Sequence, residues 1–274
     1  MIDRRAHSRA FVVSGLALAA AGWALLALWS ASPDGRYLEH GDWTQLGLLG
    51  SNCARIPFGT SLLPGAAYVA GWMLMLSAMM LPTALPVLSI FQRITADRAD
   101  AGRLLALAAA GYLAAWAGFG LVAHLADLGL AGAVRQSAWL TVNAWALGAA
   151  VLALAGLFQF SDLKRRCLDR CRSPLAEVTA HWHGRHPGRE AWRLGLAHGI
   201  FCVGCCWALM LIMFVVGTGN VGWMLLLGLA MATEKNQPWG RRLSAPLGLA
   251  LIAAAAALTA AHLVPGLTGG PMPG

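Results

Sequence analysis

Residues 193–216 have the sequence RLGLAHGIFCVGCCWALMLIMFVV, and this stretch decides the fold because only its first residue is charged. An apolar run of about 20 residues is long enough to cross a bilayer as a helix. The run also carries three thiols, two thioethers and one imidazole, all candidate metal ligands: His198, Cys202, Cys205, Cys206, Met210 and Met213. At about 100° per residue they fall within a sector of roughly 140°. We therefore predict a membrane-spanning helix with one metal-binding face, which must point toward other helices or a cavity because hydrocarbon cannot satisfy it.

The rest of the chain also has the composition of a membrane protein. Its residues are 58% hydrophobic and 12% charged, with a mean hydropathy of +0.61, whereas soluble domains carry about 25% charged residues. Uncharged runs of about 18 residues or more predict membrane-spanning helices. We predict an all-α, polytopic bundle of about seven spans: 11–30, 65–91, 104–126, 138–160, 193–216, 219–234 and 243–264. The sixth is the shortest, so a tilted or re-entrant segment is an alternative there.

The distribution of basic residues predicts the orientation of the bundle. Of the 20 Lys and Arg residues, 17 precede the first span or follow spans two, four and six. Cytoplasmic loops are enriched in Lys and Arg, so the N-terminus is predicted in the cytoplasm and the C-terminus outside. The net charge of +8 follows from this asymmetry and not from a basic soluble domain, so no nucleic-acid partner is predicted. These features predict a multi-pass protein of a bacterial inner membrane.

The chain is predicted to be a single membrane domain over residues 1–274, with two large polar insertions. Residues 31–64 are predicted to form an external loop, because they are rich in Gly and Pro and have no sustained periodicity. Residues 161–192 are predicted to form a cytoplasmic insertion. The first span resembles a signal peptide in being basic and then apolar, but its apolar part is longer than a usual signal core. An uncleaved helix is therefore the preferred interpretation.

The thiols of the fifth span admit three interpretations. Thiolate and thioether ligands favour Cu(I), and thiolate with imidazole also suits Zn(II), so a copper site is predicted and a zinc site is an alternative. Cys202 and Cys205 also form a C-x-x-C motif, which lowers thiol pKa values in soluble redox proteins. Packing alone is the third interpretation, since buried Cys and Met fill space as ordinary apolar residues. Helix geometry allows one ion an i, i+4 pair such as Cys202 and Cys206, so other helices must supply the remaining ligands.

The second span is predicted to supply such ligands through Met73, Met79 and Met80. Pro82 and Pro86 follow at once and should kink the helix and free backbone carbonyls near these thioethers. Broken helices at membrane depth often mark ion sites. We therefore expect the second span to pack on the fifth, with Met79 or Met80 near Cys202 and Cys206.

The sixth span contributes two more candidate ligands, Met224 and Glu234, with Met231 seven residues after Met224. An ionisable group within a span is a functional candidate by default. A plain ion pair with a basic loop residue is the alternative for Glu234.

The cytoplasmic insertion carries Cys167 and Cys171, which share a helix face because they are four residues apart. With His181, His183 and His186 they form a candidate metal-capture site. The alternative is a solvated basic helix followed by a flexible His-rich loop. Cys53 is predicted to lie alone outside, with no intrachain disulfide partner.

Four motifs of the chain resemble one known family. They are Trp72-Met73 with Ala78-Met79-Met80-Leu81-Pro82 and Pro86, Gln159-Phe160-Ser161-Asp162-Leu163-Lys164 with Cys167 and Cys171, His198-Gly199 with Cys202-Val203-Gly204-Cys205-Cys206-Trp207 and Met210, and Asn220 with Trp223-Met224 and Glu234-Lys235. Together they resemble the bacterial family known as domain of unknown function 2182, described as predicted metal-binding integral membrane proteins. The resemblance covers roughly residues 66–240 and implies a bound metal. The histidines of residues 181–186 are not part of the family's pattern.

The leading functional hypothesis is a membrane protein that handles Cu(I) for transport, delivery or assembly. Its partners would be the lipid bilayer, the metal ion and, as candidates, a metallochaperone or another membrane subunit. The alternative is an enzyme, either a thiol-disulfide oxidoreductase using Cys202, Cys205 and Cys206 or a metal-dependent membrane oxidase. A scaffold with a sulfur-rich core is a third interpretation. The chain has no G-x-x-x-x-G-K-[ST] motif, so the sequence predicts no ATP-driven motor of its own.

Overall fold

The fold is an all-α bundle, seen in a computed structural model that describes residues 2–32, 62–216 and 220–263. Within these residues the chain forms ten α-helices and one short 3₁₀ helix at Gly240–Leu243, and no β-strand. The helices are α1 (Ile2–Ser30), α2 (Leu62–Thr95), α3 (Ala101–Gln136), α4 (Ala138–Val142), α5 (Trp145–Phe158), α6 (Asp162–Cys171), α7 (Pro174–His181), α8 (Pro187–Val216), α9 (Val221–Asn236) and α10 (Ser244–Leu263). The predicted fold class is thereby confirmed. Most of the predicted external loop, including Cys53, lies outside the described residues.

Five of the described helices are long and apolar enough to cross a membrane. They comprise Phe11–Ser30, Gly71–Thr95, Ala101–Ala126, Pro187–Val215 and Gly240–Leu263. A sixth span results if α5 and α6, which are bent by 65° relative to each other, are counted as one broken span. The predicted sixth span corresponds to α9, a helix of 16 residues. At 1.5 Å per residue α9 is about 24 Å long, shorter than the hydrocarbon core of about 30 Å.

The fourth predicted span, 138–160, is interrupted and then turns sharply. It consists of the five residues of α4, a break at Asn143, and then α5. Ser137 caps α4 by accepting from the Leu140 amide (3.3 Å), and the Asn143 side-chain amide donates to the Trp139 carbonyl (3.0 Å). Such short polar side chains offer the backbone local alternatives to a continuous helix. After α5, Ser161 caps α6 through the Lys164 amide (3.1 Å), so the polar residues 162–171 form a new helix in a different direction.

Helix α8 lies at the centre of the bundle. Of its span 67% is buried, against 11% for the span that contains α10. Its most extensive partner is α3, and it also packs on α5, α6, α7 and α9. Helices α1 and α10 expose apolar side chains such as Leu16 (52%) and Leu249 (62%), as expected of lipid-facing helices.

The seam between α3 and α8 is close because it is lined by glycine. A Cβ atom on Gly195 would lie 1.8 Å from the Ala108 carbonyl oxygen, and one on Gly111 would lie 2.4 Å from the Trp192 carbonyl oxygen. A Cβ atom on Gly199 would lie 2.9 Å from the Tyr112 carbonyl oxygen. Small residues let membrane helices approach this closely. The seam therefore brings the Tyr112 side chain against the thiol-bearing part of α8.

Candidate metal centre

The three thiols of α8 are buried inside the bundle. Cys202, Cys205 and Cys206 are each at most 2% exposed. The thiols of Cys205 and Cys206 donate to the same acceptor, the Cys202 carbonyl, at 3.1 Å and 2.9 Å. All five described cysteines are free thiols, so each is chemically available to a soft metal ion.

A cation and two hydroxyls surround Cys202 on the side of α2, α3 and α9. The Lys235 Nζ lies 2.8 Å from the Cys202 Sγ, 3.8 Å from the Cys206 Sγ and 3.5 Å from the Thr83 Oγ1. The Tyr112 hydroxyl contacts the Cys202 Sγ at 3.1 Å and donates to the Met80 carbonyl at 2.9 Å. Four helices thus meet at Cys202.

The polar helix α6 supplies two more thiols to the opposite side of the group. The Sγ atoms of Cys171 and Cys205 are 4.0 Å apart. Cys167 lies against Gly204, where an added Cβ atom would be 2.7 Å from the Cys167 Sγ. We refer to Cys171, Cys202, Cys205 and Cys206 as the thiol cluster.

Helix α6 also shows how deep the thiol cluster lies. Arg165, Arg166 and Arg170 of this helix are exposed, and the Arg170 guanidinium lies over the Phe201 ring at 5.7 Å. Exposed arginines of a membrane protein lie in water or at the headgroups. The thiol cluster therefore lies close to the polar boundary on the Arg-rich side, since α6 packs beside α8 at Phe201–Cys205.

His198, the predicted imidazole ligand, is buried beside the thiol cluster. It is one turn before Cys202, it is 4% exposed, and its ring stacks on Tyr112 with centroids 5.7 Å apart. Its Nδ1 atom has no hydrogen-bond partner among the described residues. A buried polar atom without a partner is costly, so this nitrogen is a candidate donor to a bound cation.

The structure places Glu234 in a separate ionic network. Lys164 donates to both Glu234 carboxylate oxygens at 2.8 Å and also contacts the Gln159 side chain. The Ser244 hydroxyl donates to the same carboxylate at 2.6 Å. With its oxygens occupied in this way, Glu234 joins α6 to α9 and to the start of α10.

The predicted methionine ligands are mostly buried but are distributed over the core. Met79, Met80, Met210, Met213, Met224 and Met231 are each at most 3% exposed, and Met73 is partly buried. The Met79 side chain lies against α9, since a Cβ atom on Gly228 would be 3.5 Å from its Cε. Met80 approaches Cys202 through its backbone, because its carbonyl accepts from the Tyr112 and Thr83 hydroxyls. Among the described residues no three His, Cys, Asp or Glu side chains are arranged to hold a metal ion together.

The structure does not join the histidines of residues 181–186 to the two cysteines of α6. His181 lies beside Glu177, with its Nδ1 at 3.5 Å from one carboxylate oxygen. The backbone amides of His183 and His186 donate to the Glu190 carboxylate at 2.7 Å and 2.9 Å. Burial raises the pKa of the Glu177 carboxyl, an effect that the nearby His181 and Arg170 partly offset. Cys167 and Cys171 face α8 instead.

Three residues around Cys202 were not predicted from the sequence, namely Thr83, Tyr112 and Lys235. Lys235 could have been identified from the sequence, because it lies at the end of an apolar helix, where a buried ammonium needs partners. The sequence does not point to Tyr112 or Thr83, since their hydroxyls reach Cys202 and Lys235 only through the packing of distant segments.

The bundle and its buried thiols define a class of protein: an integral membrane protein with a sulfur-rich centre near one membrane boundary. A family model described as PpoB2, copper chaperone, matches residues 69–258. The match covers more than half of the chain, including every residue of the thiol cluster, and the chain belongs to this family. No curated protein and no solved structure matches it. The protein is accordingly a membrane protein that handles copper.

Proposed function

We propose that the protein binds Cu(I) at the thiol cluster and passes the ion on at the Arg-rich boundary of the membrane. The observation that carries this proposal is the 4.0 Å separation of the Cys171 and Cys205 Sγ atoms, which belong to two different helices. Metal–sulfur bonds are about 2.3 Å long in zinc thiolates. If two sulfur atoms bind one ion at this distance with an S–metal–S angle of about 120°, they are about 4.0 Å apart. The separation therefore suits a shared ion without a large movement of either helix.

The small number of converging ligands is consistent with a role in transfer. A closed site with four protein ligands holds its metal as a structural element, whereas a site with an open position accepts an outside ligand. Two thiolates from the cluster would leave room for a donor from a partner. We infer that copper moves by ligand exchange with a metallochaperone or another membrane subunit.

Three further assignments are part of the proposal. The family is the same as the predicted metal-binding family, domain of unknown function 2182, that the sequence motifs resemble. The chain is a single membrane domain of a bacterial inner membrane. The basic side, where the thiol cluster lies, is the cytoplasmic side, because 17 of the 20 Lys and Arg residues belong there under the positive-inside rule.

Copper retention by paired cysteine variants tests the site. We expect Cys171→Ser with Cys205→Ser, and Cys202→Ser with Cys206→Ser, each to lower the Cu(I) affinity of the detergent-purified protein. The loss should exceed the ~10–100-fold effect of outer-shell changes, because a hydroxyl is a hard ligand that binds soft ions poorly. The measurement is competition with a chromophoric Cu(I) chelator under anaerobic, reducing conditions without added thiols.

Cys53→Ser is the matched control, since it removes a thiol that is distant in sequence from all the others, and it should leave Cu(I) affinity unchanged. If both double variants bind Cu(I) as tightly as the wild type, the thiol cluster is not the copper site.

A thiol-disulfide oxidoreductase is the second candidate function, favoured by the same proximity of Cys171 and Cys205. In that reaction the two thiols would reduce a partner disulfide to two thiols and form a Cys171–Cys205 disulfide. The purified protein would then form this bond reversibly in a glutathione redox buffer, as followed by peptide mass analysis. A protein that retains copper and forms no such disulfide is not this enzyme.

A further inference from the structure

Lys235 is a buried cation whose partners are thiols and not a carboxylate. It is 6% exposed, and its Nζ contacts the Cys202 and Cys206 Sγ atoms at 2.8 Å and 3.8 Å. Its one other hydrogen-bond contact within the described residues is the Thr83 hydroxyl at 3.5 Å. In that part of the chain no carboxylate forms a salt bridge with Lys235. Burying a charge is costly unless it is paired, so a buried ammonium whose close partners are two thiols and a hydroxyl requires an explanation.

The second buried lysine near the cluster provides the contrast. Lys164 is 1% exposed and forms a salt bridge with Glu234 at 2.8 Å. The opposite charges of Lys164 and Glu234 cancel, so this pair contributes no net charge at the thiol cluster. Lys235, in contrast, directs its positive charge at the Cys202 and Cys206 thiols.

We propose that Lys235 is the residue that makes the thiol cluster specific for a monovalent metal ion. This inference rests on the proposed binding of metal by the thiol cluster. When two thiols bind Cu(I), two protons leave for solvent and a complex with a net charge of −1 forms, which the adjacent Lys235 ammonium neutralises. When two thiols bind Zn(II), two protons leave in the same way, but the complex is neutral and the ammonium remains unpaired.

The interaction of Lys235 with the metal complex is strong because the site excludes water. Charges a few ångströms apart interact far more strongly in a buried, low-dielectric site than in bulk water. Because the Lys235 Nζ contacts the Sγ atoms of both Cys202 and Cys206, its charge favours an anionic complex at this thiol pair. A neutral residue at position 235 would favour the neutral, divalent complex instead.

The ratio of Cu(I) to Zn(II) affinity in charge variants at position 235 tests this proposal. We expect Lys235→Met to lower the Cu(I) affinity by on the order of 10–100-fold, as for other partners of metal ligands, and to leave the Zn(II) affinity unchanged or higher. Each metal is added alone to the full-length protein in detergent, and its affinity is measured by competition with a chelator of known affinity. Lys235→Arg keeps the charge and should keep most of the preference for Cu(I).

Lys235→Gln repeats the test with a polar neutral residue. Thermal unfolding shows which of the two neutral variants is folded, and one folded variant is sufficient to decide the outcome. If a folded neutral variant has the wild-type ratio of Cu(I) to Zn(II) affinity, or loses both metals equally, Lys235 does not set the selectivity. The copper-site proposal fails separately, when the wild type and the double cysteine variants bind Cu(I) equally well.

Discussion

At the scale of single residues, two buried lysines have different partners and therefore different consequences. Lys235 faces thiols, whereas Lys164 is paired with Glu234, which also accepts from Ser244. A buried ion pair is weak evidence for stability by itself, because desolvation offsets much of the attraction between the charges. Removal of one partner is different, since it leaves a charge buried and unpaired.

This difference predicts a non-additive result for the Lys164–Glu234 pair. Lys164→Met should destabilise the protein by about 3–5 kcal/mol, the usual effect of breaking a buried pair. Adding Glu234→Met should recover a large part of that loss, because the double variant has no buried charge at this position. The measurement is unfolding in detergent, monitored by circular dichroism, for both single variants and the double variant.

The matched control for this cycle is Asp162→Ala, which removes a carboxylate from an exposed ion pair with Arg165 on the same helix and should change stability by less than about 1 kcal/mol. If the double variant is destabilised by the sum of the two single effects, the two side chains do not interact.

The candidate ligands could be predicted from the sequence much better than their partners. The periodicity of Cys202, Cys205 and Cys206 predicted that the three thiols share one inward-facing side of their helix, and the structure buries all three. For Glu234 the sequence left two alternatives open, a metal ligand and an ion pair with a basic loop residue, and the structure shows an ion pair. Its pairing with Lys164 depends on a contact across 70 residues, and no local pattern encodes such a contact.

At the scale of secondary-structure elements, the length and hydropathy of a segment predicted its helix, but polar residues decided where helices break. The spans α1, α2, α3, α8 and α10 follow from uncharged runs of sufficient length. Within the fourth predicted span, Asn143 ends α4 early, and Ser161 begins α6 in a new direction. That change of direction brings Cys171 to Cys205, so it positions the thiol cluster.

The glycine seam between α3 and α8 predicts a sharp steric sensitivity. Gly195→Ala would place a Cβ atom 1.8 Å from the Ala108 carbonyl oxygen, so the two backbones must separate. We expect a loss of stability of about 1–3 kcal/mol, as for other overpacked sites, together with weaker Cu(I) binding, since the seam positions Tyr112 against Cys202. Thermal unfolding in detergent and Cu(I) competition measure the two effects.

Gly118→Ala on α3 is the control, because no atom outside the neighbouring backbone of α3 lies within 4 Å of the Cβ position at Gly118. It should be neutral or slightly stabilising, by up to about 1 kcal/mol, since Ala is the better helix former. A Gly195→Ala protein as stable as the Gly118→Ala protein would show that the seam does not require glycine.

At the scale of the whole molecule, contacts between α6 and the segment after α9 place both on the same side of the membrane. Arg172 donates to the Glu234 carbonyl at 2.5 Å and to the Pro238 carbonyl at 3.0 Å, and Arg241 forms an ion pair with Asp169. These contacts place the C-terminal end of α9 beside α6, even though α9 is shorter than a usual membrane span. We propose from the basic residues at both places that this side is the cytoplasmic one.

This arrangement predicts the activity of alkaline phosphatase fused at three positions, since that enzyme folds only outside the cytoplasm. A fusion after residue 50 should be active, because the charge distribution assigns residues 31–64 to the external side. Fusions after residues 175 and 238 should both be inactive, because the positive-inside rule assigns both basic segments to the cytoplasm and contacts of Arg172 and Arg241 join the two segments in the whole chain. Green fluorescent protein fused at the same positions should give the opposite pattern, which controls for expression.

Alkaline phosphatase activity at residue 175 with none at residue 50 would invert the topology. Opposite results at residues 175 and 238 would mean that α9 does not return the chain to the side of α6.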